Sequence, residues 1–106
     1  MAAFFAEGRV AKEKFLPGRI VATPGVLTAL EASGETPFPY LARHIQGDWG
    51  DLSEEDKAEN ELGVREGFRI LSAYTLLNET KIWIITEAAN DEGVRESTTL
   101  LLPSEY

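Results

Sequence analysis

The period of the hydrophobic pattern changes near residue 68. Before that point apolar residues recur at the three- and four-residue spacing of amphipathic helices, and from Phe68 onward they alternate with polar residues as in half-buried strands. Helices are therefore expected mainly in the first half of the chain and strands in the second. This segregation predicts an α+β fold, with two or three N-terminal helices packed on a C-terminal antiparallel sheet.

Two helix starts in the first half share one signal, a threonine followed by a proline. Thr23-Pro24 predicts the N-cap and first position of a helix that ends at Gly34. Thr36 followed by proline predicts a second helix that ends at Gly47. A third helix is expected after Ser53, whose hydroxyl can cap it while the acidic residues that follow favour the positive end of the helix dipole.

The second helix carries apolar residues at positions i, i+3, i+4 and i+7, and this stripe predicts the face that packs on the core. The opposite flank is polar. The stripe consists of Phe38, Leu41, Ala42 and Ile45, and the flank of Tyr40, Arg43 and His44.

Three runs rich in β-branched and aromatic residues follow, at 68–77, 81–87 and 97–102. A tight turn at 78–80 and a longer acidic loop at 88–96 separate them. They predict a three-stranded antiparallel meander. The short β-branched run 19–23, entered through Pro17-Gly18, predicts a fourth strand at the edge of the sheet.

The 106 residues suit one domain, which we place at 15–106. Residues 1–14 are expected to form an N-terminal appendage, because their pattern is too irregular to assign to an element. They lack the basic and apolar regions of a signal peptide. No apolar run approaches the roughly 20 residues of a membrane helix. We therefore expect a soluble cytoplasmic protein.

The formal net charge of −8 is unevenly distributed. Residues 48–66 hold eight acidic residues against Lys57 and Arg65, which gives −6. A field of that sign repels phosphate backbones, so direct nucleic-acid binding is disfavoured and a basic partner protein is favoured. The chain has no cysteine and one histidine. Disulfides, thiolate catalysis and a structural zinc site are thereby excluded, and no metal or cofactor is predicted.

The segment 47–52 is the first candidate site, because it places a tryptophan between glycines and aspartates. The indole of Trp49 is either a plug folded back on the core or an exposed anchor for a partner. The acids lack the alternating spacing of a calcium loop, which favours turn-forming and capping roles over a cation site. The candidate binding residues are Trp49, Asp48, Asp51, Glu54, Glu55 and Glu59.

An alternative set, with the roles of base, acid and anion stabiliser, consists of His44, Glu87 and Arg69. Asp48 lies just beyond the helix of His44, and a nearby carboxylate raises the pKa of an imidazole. Arg69 and Glu87 can pair across two neighbouring strands if the register allows it. A simpler interpretation exists for both parts of this set. His44 would be a surface histidine, and Arg69 and Glu87 would form a salt bridge on the sheet.

Several short runs resemble a small bacterial family found on plasmids and integrative elements and often labelled only "plasmid-related protein". The resemblance covers roughly residues 15–106. It implies a bacterial cytosolic protein in a mobile-element context but no particular activity, so no catalytic residue is transferred. The matching segments are Arg43-His44, 47–52, Glu55-Asp56, Asn60, 82–87 and 102–106.

Two functions follow from these features. The first is an acidic protein-interaction module, such as an accessory protein of a mobile element that binds a basic or nucleic-acid-handling protein. The alternative is a metal-independent endoribonuclease of barnase-like or RelE-like arrangement that uses His44, Glu87 and Arg69. The negative charge argues against the second, since such an enzyme must hold polyanionic RNA. The sequence leaves open whether the chain is an enzyme at all.

Overall fold

The structure of the protein is a computed structural model that describes residues 13–106. It confirms the α+β prediction, with helices in the first half and strands in the second. Most of the predicted appendage 1–14 lies outside the described residues. In chain order the elements are β1 (Arg19–Ala22), α1 (Pro24–Ser33), α2 (Phe38–Ile45), α3 (Glu54–Glu66), β2 (Ile70–Thr75), β3 (Lys81–Thr86), β4 (Ser97–Leu101) and a 3₁₀ helix (Pro103–Glu105).

Local capping groups set the ends of α1 and α3. The Thr23 hydroxyl accepts a hydrogen bond from the backbone N–H of Val26, and Gly34 ends the helix in the left-handed conformation with φ 72°. The Ser53 hydroxyl caps the start of α3 in the same way, because it accepts a hydrogen bond from the N–H of Asp56. Each cap satisfies a backbone donor that has no partner within the helix. The predicted starts of both helices are confirmed.

The sheet has the strand order β1-β4-β3-β2. The pairs β2–β3 and β3–β4 are antiparallel, which confirms the predicted meander. The predicted fourth strand is also present at the edge, but β1 pairs with β4 in parallel. The sheet is therefore mixed. A parallel pair requires a long connection, and the chain supplies one because three helices and two strands separate β1 from β4.

One face of the sheet carries the core. Side chains of β2, β3 and β4 that point to this inner face are buried against Val26 and Leu30 of α1 and Tyr40 of α2. The opposite, outer face carries the alternate residues, among them Leu71, Trp83 and Ile85. The inner-face core residues of the sheet are Tyr74, Ile82, Ile84 and Leu100.

The buried face of α2 differs in part from the predicted one, although Leu41 of the stripe packs against the core as expected. Phe38, at the head of the apolar stripe, is 71% exposed, whereas Tyr40 and His44 of the polar flank are buried. The Tyr40 hydroxyl donates to the carboxylate of Glu35, and its ring packs against that of Tyr74. Polar side chains with such partners can be buried at little cost, so burial in α2 extends beyond the apolar stripe. The helix also starts one residue later than predicted, with Pro37 rather than Thr36 at the N-cap.

Candidate functional site

His44 lies in the centre of the molecule and is fully buried. Its Nδ1 lies 2.6 Å from the Ser72 hydroxyl of β2, and its Nε2 lies 2.8 Å from the Thr86 hydroxyl of β3. Thr86 is in turn 2.6 Å from Thr98 of β4, whose hydroxyl donates to the carbonyl of Pro17. This chain of hydrogen bonds joins α2 to three strands. Both imidazole nitrogens are occupied by it.

Burial and charge keep the imidazole neutral. Desolvation, aided by the positive charge of Arg95, lowers the pKa of His44 from 6.5 to about 3. Aromatic rings close its sides, with Phe15 at a centroid distance of 5.2 Å and Trp49 at 6.1 Å. An imidazole that is neutral at physiological pH, bonded at both nitrogens and shielded from solvent is not arranged to exchange protons with a substrate.

The structure does not bring Arg69 and Glu87 to His44. Leu71 pairs with Ile85 on the outer face, and the alternation of the strands places Arg69 and Glu87 in that same outer series. His44 instead contacts the inner face. The Arg69 guanidinium lies 5.6 Å from the ring centroid of Tyr106, which packs on Trp83 of the outer face. The sheet therefore separates the predicted base from the other two residues.

Trp49 is a plug rather than an exposed anchor. It is 3% exposed and stacks on Phe15 with ring centroids 6.3 Å apart. Its indole N–H donates to the Glu61 carboxylate at 2.9 Å. A side chain so enclosed cannot contact a partner in this conformation, which removes Trp49 from the candidate binding residues.

The two aspartates beside Trp49 are also engaged within the fold. Asp48 forms an ion pair with Arg43 at 2.6 Å, and this hydrogen bond lowers the pKa of the carboxyl. The backbone carbonyl of Asp48 accepts a hydrogen bond from the Tyr74 hydroxyl. Asp51 accepts a hydrogen bond from the hydroxyl of Thr75 at 2.7 Å. The side chains of the first candidate site, 47–52, therefore serve mainly to fix the conformation of that loop.

This loop covers the open edge of β2. Ala73 donates its N–H to the carbonyl of Trp49 at 3.2 Å and accepts the N–H of Asp51 at 2.7 Å. Two positions earlier, the Asn60 side chain of α3 donates to the carbonyl of Leu71 and accepts its N–H. Unpaired N–H and C=O groups on an edge strand can pair with another chain. Because these contacts satisfy such groups on Leu71 and Ala73, they protect the edge of β2 from that pairing.

The N-terminal half of α3 presents carboxylates to solvent. Four acidic residues within its first six positions are exposed, and only the first forms an ion pair, with Lys57 at 3.5 Å. We call these four residues the α3 acidic surface: Glu54, Glu55, Asp56 and Glu59. Three of them were predicted as binding residues, and Asp56 completes the set.

A hollow of about 220 Å³ lies beside the α3 acidic surface. Leu52 and Leu71 are its apolar lining residues, and Asp56 and Glu59 are its acidic ones. The buried Asn60 also lines it. An aliphatic stem that ends in a cation matches this lining, because lysine and arginine cover apolar surface with their methylene groups.

Sequence reasoning missed the polar residues that organise the interior. Asn60, Ser72, Thr86 and Thr98 are buried, yet each stands in an element that the pattern assigned to surface or strand. Their partners lie between 11 and 81 positions away, so no local spacing could have identified them. Arg95 was treated as part of an acidic loop and is likewise buried.

Within residues 13–106, no group of three or more His, Cys, Asp or Glu side chains is arranged to hold a metal ion. No helix in this part of the chain is both long and apolar enough to cross a bilayer.

No family model, curated protein or solved structure matches this chain. The resemblance to plasmid-borne proteins stays a prediction.

Proposed function

We propose that the protein is an interaction module that binds a basic protein through the α3 acidic surface. The observation that carries the proposal is the exposure of its carboxylates: Glu55, Asp56 and Glu59 project to solvent and form no ion pair with a cation of residues 13–106. A surface of one sign raises the local concentration of oppositely charged partners and accelerates their association.

The acidic residues of this region divide into two groups with separate tasks. Glu61 and Asp51 accept hydrogen bonds from Trp49 and Thr75, and Asp48 pairs with Arg43, so these three stabilise the loop. The side chains of Glu55, Asp56 and Glu59 form no hydrogen bond within the described part of the chain. No hydrogen bond or ion pair among residues 13–106 depends on these three carboxylates, which favours a role in recognition.

The hollow supports an arginine or lysine as the residue that the partner presents. Leu52 and Leu71 of its lining offer apolar contact to the methylene stem, and Asp56 and Glu59 of the same lining can pair with the terminal cation. A buried anchor surrounded by a polar, solvent-accessible rim is the usual arrangement of a protein interface.

The partner class follows from charge, since proteins that handle nucleic acids carry exposed basic surfaces. The resemblance to plasmid-borne proteins favours such a partner in a bacterial cytoplasm, with the chain as an accessory of a mobile element. No observation favours the endoribonuclease, because the described geometry separates His44 from Glu87 and Arg69. We do not propose it further.

The proposal is tested with a variant in which Glu55→Gln, Asp56→Asn and Glu59→Gln are combined. These changes remove charge but preserve shape and helix propensity. Immobilised wild-type protein is expected to retain basic proteins from a bacterial lysate and to release them as salt is raised. The variant should retain about tenfold less of them, because the steering charges are gone.

The matched control combines Glu31→Gln, Glu79→Gln and Glu92→Gln. It removes the same charge from exposed sites outside α3. Binding should persist in this control. Equal loss in both variants would show that net charge alone attracts these proteins, and equal retention in both would show that α3 plays no part. Either result refutes the proposal.

A further inference from the structure

A second and larger cleft lies at the other end of α3. Its volume is about 690 Å³, within the range of pockets that enclose small molecules. Its apolar lining comes from three parts of the chain: Phe15 and Leu16 before β1, Val64 near the end of α3, and Ala89 and Val94 of the 88–96 loop. Leu16 and Val94 are 71% and 52% exposed. The cleft therefore offers apolar surface to solvent.

The loop that forms this cleft is fixed by hydrogen bonds. The N–H of Ala89 donates to the carbonyl of Gly67 at 2.9 Å, and Ala89 pairs with Arg95 in an antiparallel bridge. The Asn90 side chain accepts the N–H groups of Glu92 and Val94. The cleft is thus preformed rather than dependent on a rearrangement.

Arg95 lines the cleft and is 9% exposed. Its guanidinium donates to three backbone carbonyls, those of Phe68, Glu87 and Gly63, at 2.8 to 3.0 Å. Phe15 covers one side, with its ring centroid 5.5 Å from the guanidinium carbon. Burial lowers the pKa of Arg95, and the group stays charged.

The charge of Arg95 is not balanced by a carboxylate within residues 13–106, where it forms no ion pair. A guanidinium has five N–H donors, and only three of those on Arg95 meet an acceptor in this part of the chain. Carbonyl dipoles at the end of α3 offset part of the charge. A buried cation without a counterion nevertheless remains costly.

Three further charged residues line the cleft: Arg65, Glu66 and Asp91. All three are exposed, so water screens them more strongly than it screens Arg95. Arg95 is therefore the least screened charge of the lining, which otherwise carries both signs.

We propose that this cleft binds a small amphipathic carboxylate, whose anionic head pairs with Arg95 while its apolar body lies against Phe15, Val64 and Val94. The site is separate from the α3 acidic surface. It takes an anionic ligand, whereas the partner of that surface is basic. A carboxylate can accept two N–H groups of one guanidinium, and such charge-assisted pairs are among the stronger hydrogen bonds in proteins.

The test is a titration of the ¹⁵N-labelled full chain with octanoate, followed in amide correlation spectra. Saturable shifts are expected at Gly67, Val94 and Arg95. Octanamide has the same apolar body without the charge, and it should bind about tenfold more weakly. In Arg95→Gln the preference for octanoate over octanamide should disappear.

Arg95→Gln loses bonds to three carbonyls and can fail to fold, so a second variant keeps the proposal testable. Val94→Glu places a carboxylate in the cleft wall and should weaken octanoate binding about tenfold. Leu77→Glu adds the same charge at an 81% exposed site on the β2–β3 hairpin and should bind as the wild type does. Absence of saturable shifts, equal binding of octanamide, or equal affinities in the two glutamate variants would overturn the inference.

Discussion

At the scale of single residues, Gly50 has the strictest requirement. Its φ is 78°, and a Cβ built there would lie 1.9 Å from the carbonyl oxygen of Ala73 and 2.7 Å from the ring of Tyr74. The close approach is needed because Trp49 and Asp51 bond to Ala73 on either side of it. A side chain at this position would push the loop away from the edge of β2.

We predict that Gly50→Ala lowers the free energy of unfolding by about 3 kcal/mol or more, because it combines a left-handed backbone with a backbone clash. Gly34→Ala is the matched control. Gly34 has a similar φ of 72° but no atom within 4 Å of the added Cβ, so it should cost about 1 kcal/mol. Urea unfolding measures both. Similar losses in the two variants would contradict the edge contact.

The buried imidazole of His44 gives a pH prediction. Its folded-state pKa of about 3 lies below the ordinary value of 6.5, so unfolding takes up a proton between these values. The contribution of neutral His44 to stability is therefore present above pH 6.5 and is lost as the pH falls toward 3. Its share of the pH dependence approaches about 1.4 kcal/mol per pH unit within that window.

The ring resonances of His44 test this directly by NMR. In the folded protein they should show no titration between about pH 8 and pH 5, whereas in urea they should titrate near the ordinary value. A folded-state midpoint near 6.5 would mean that the imidazole is accessible, and it would reopen an acid–base role.

At the scale of elements, the main event is the closure of one sheet edge by a helix and a loop. The sequence predicted α3 as a surface helix and 47–52 as a compact loop, and both occur. Their common task, to satisfy the backbone of β2, was not predictable, because neither segment carries a signal that refers to a strand about ten or more positions away. In the sequence, nothing distinguishes Asn60 from the other polar residues of α3.

We predict that Asn60→Ala lowers the free energy of unfolding by about 2–4 kcal/mol, since it leaves the N–H and the carbonyl of Leu71 without their partner. The Leu71 amide should also exchange with solvent about tenfold faster. Glu59→Ala, one position earlier and exposed, should change either quantity little. Equal stability of the two variants would show that Asn60 does not hold this edge.

At the scale of the whole molecule, few of the negative charges are neutralised by ion pairs. The net charge is −8, and the three ion pairs among residues 13–106 are all substantially exposed. Such pairs contribute little to stability, whereas repulsion among the remaining carboxylates opposes compaction. Recognition through α3 would therefore relieve part of this repulsion.

We predict that sodium chloride raises the melting temperature at pH 7 by about 4–8 °C, which corresponds to about 1 kcal/mol for a domain of this size. The variant with Glu31, Glu79 and Glu92 changed to glutamine should start from a higher melting temperature and respond less. Circular dichroism measures both. A melting temperature that falls with salt would show that attractive pairs outweigh the repulsion.

The sequence by itself determined the caps of α1 and α3, the run of strands and the acidity of α3, because each depends on residues within a few positions of one another. Tertiary structure alone decided the parallel pairing of β1, the buried face of α2, the neutral state of His44 and the cleft around Arg95. These depend on partners far along the chain: Ser72 and Thr86 lie 28 and 42 positions from the imidazole they hold. A periodic pattern records how apolar a position is, but only folding decides whether a polar group finds the hydrogen bonds that allow its burial.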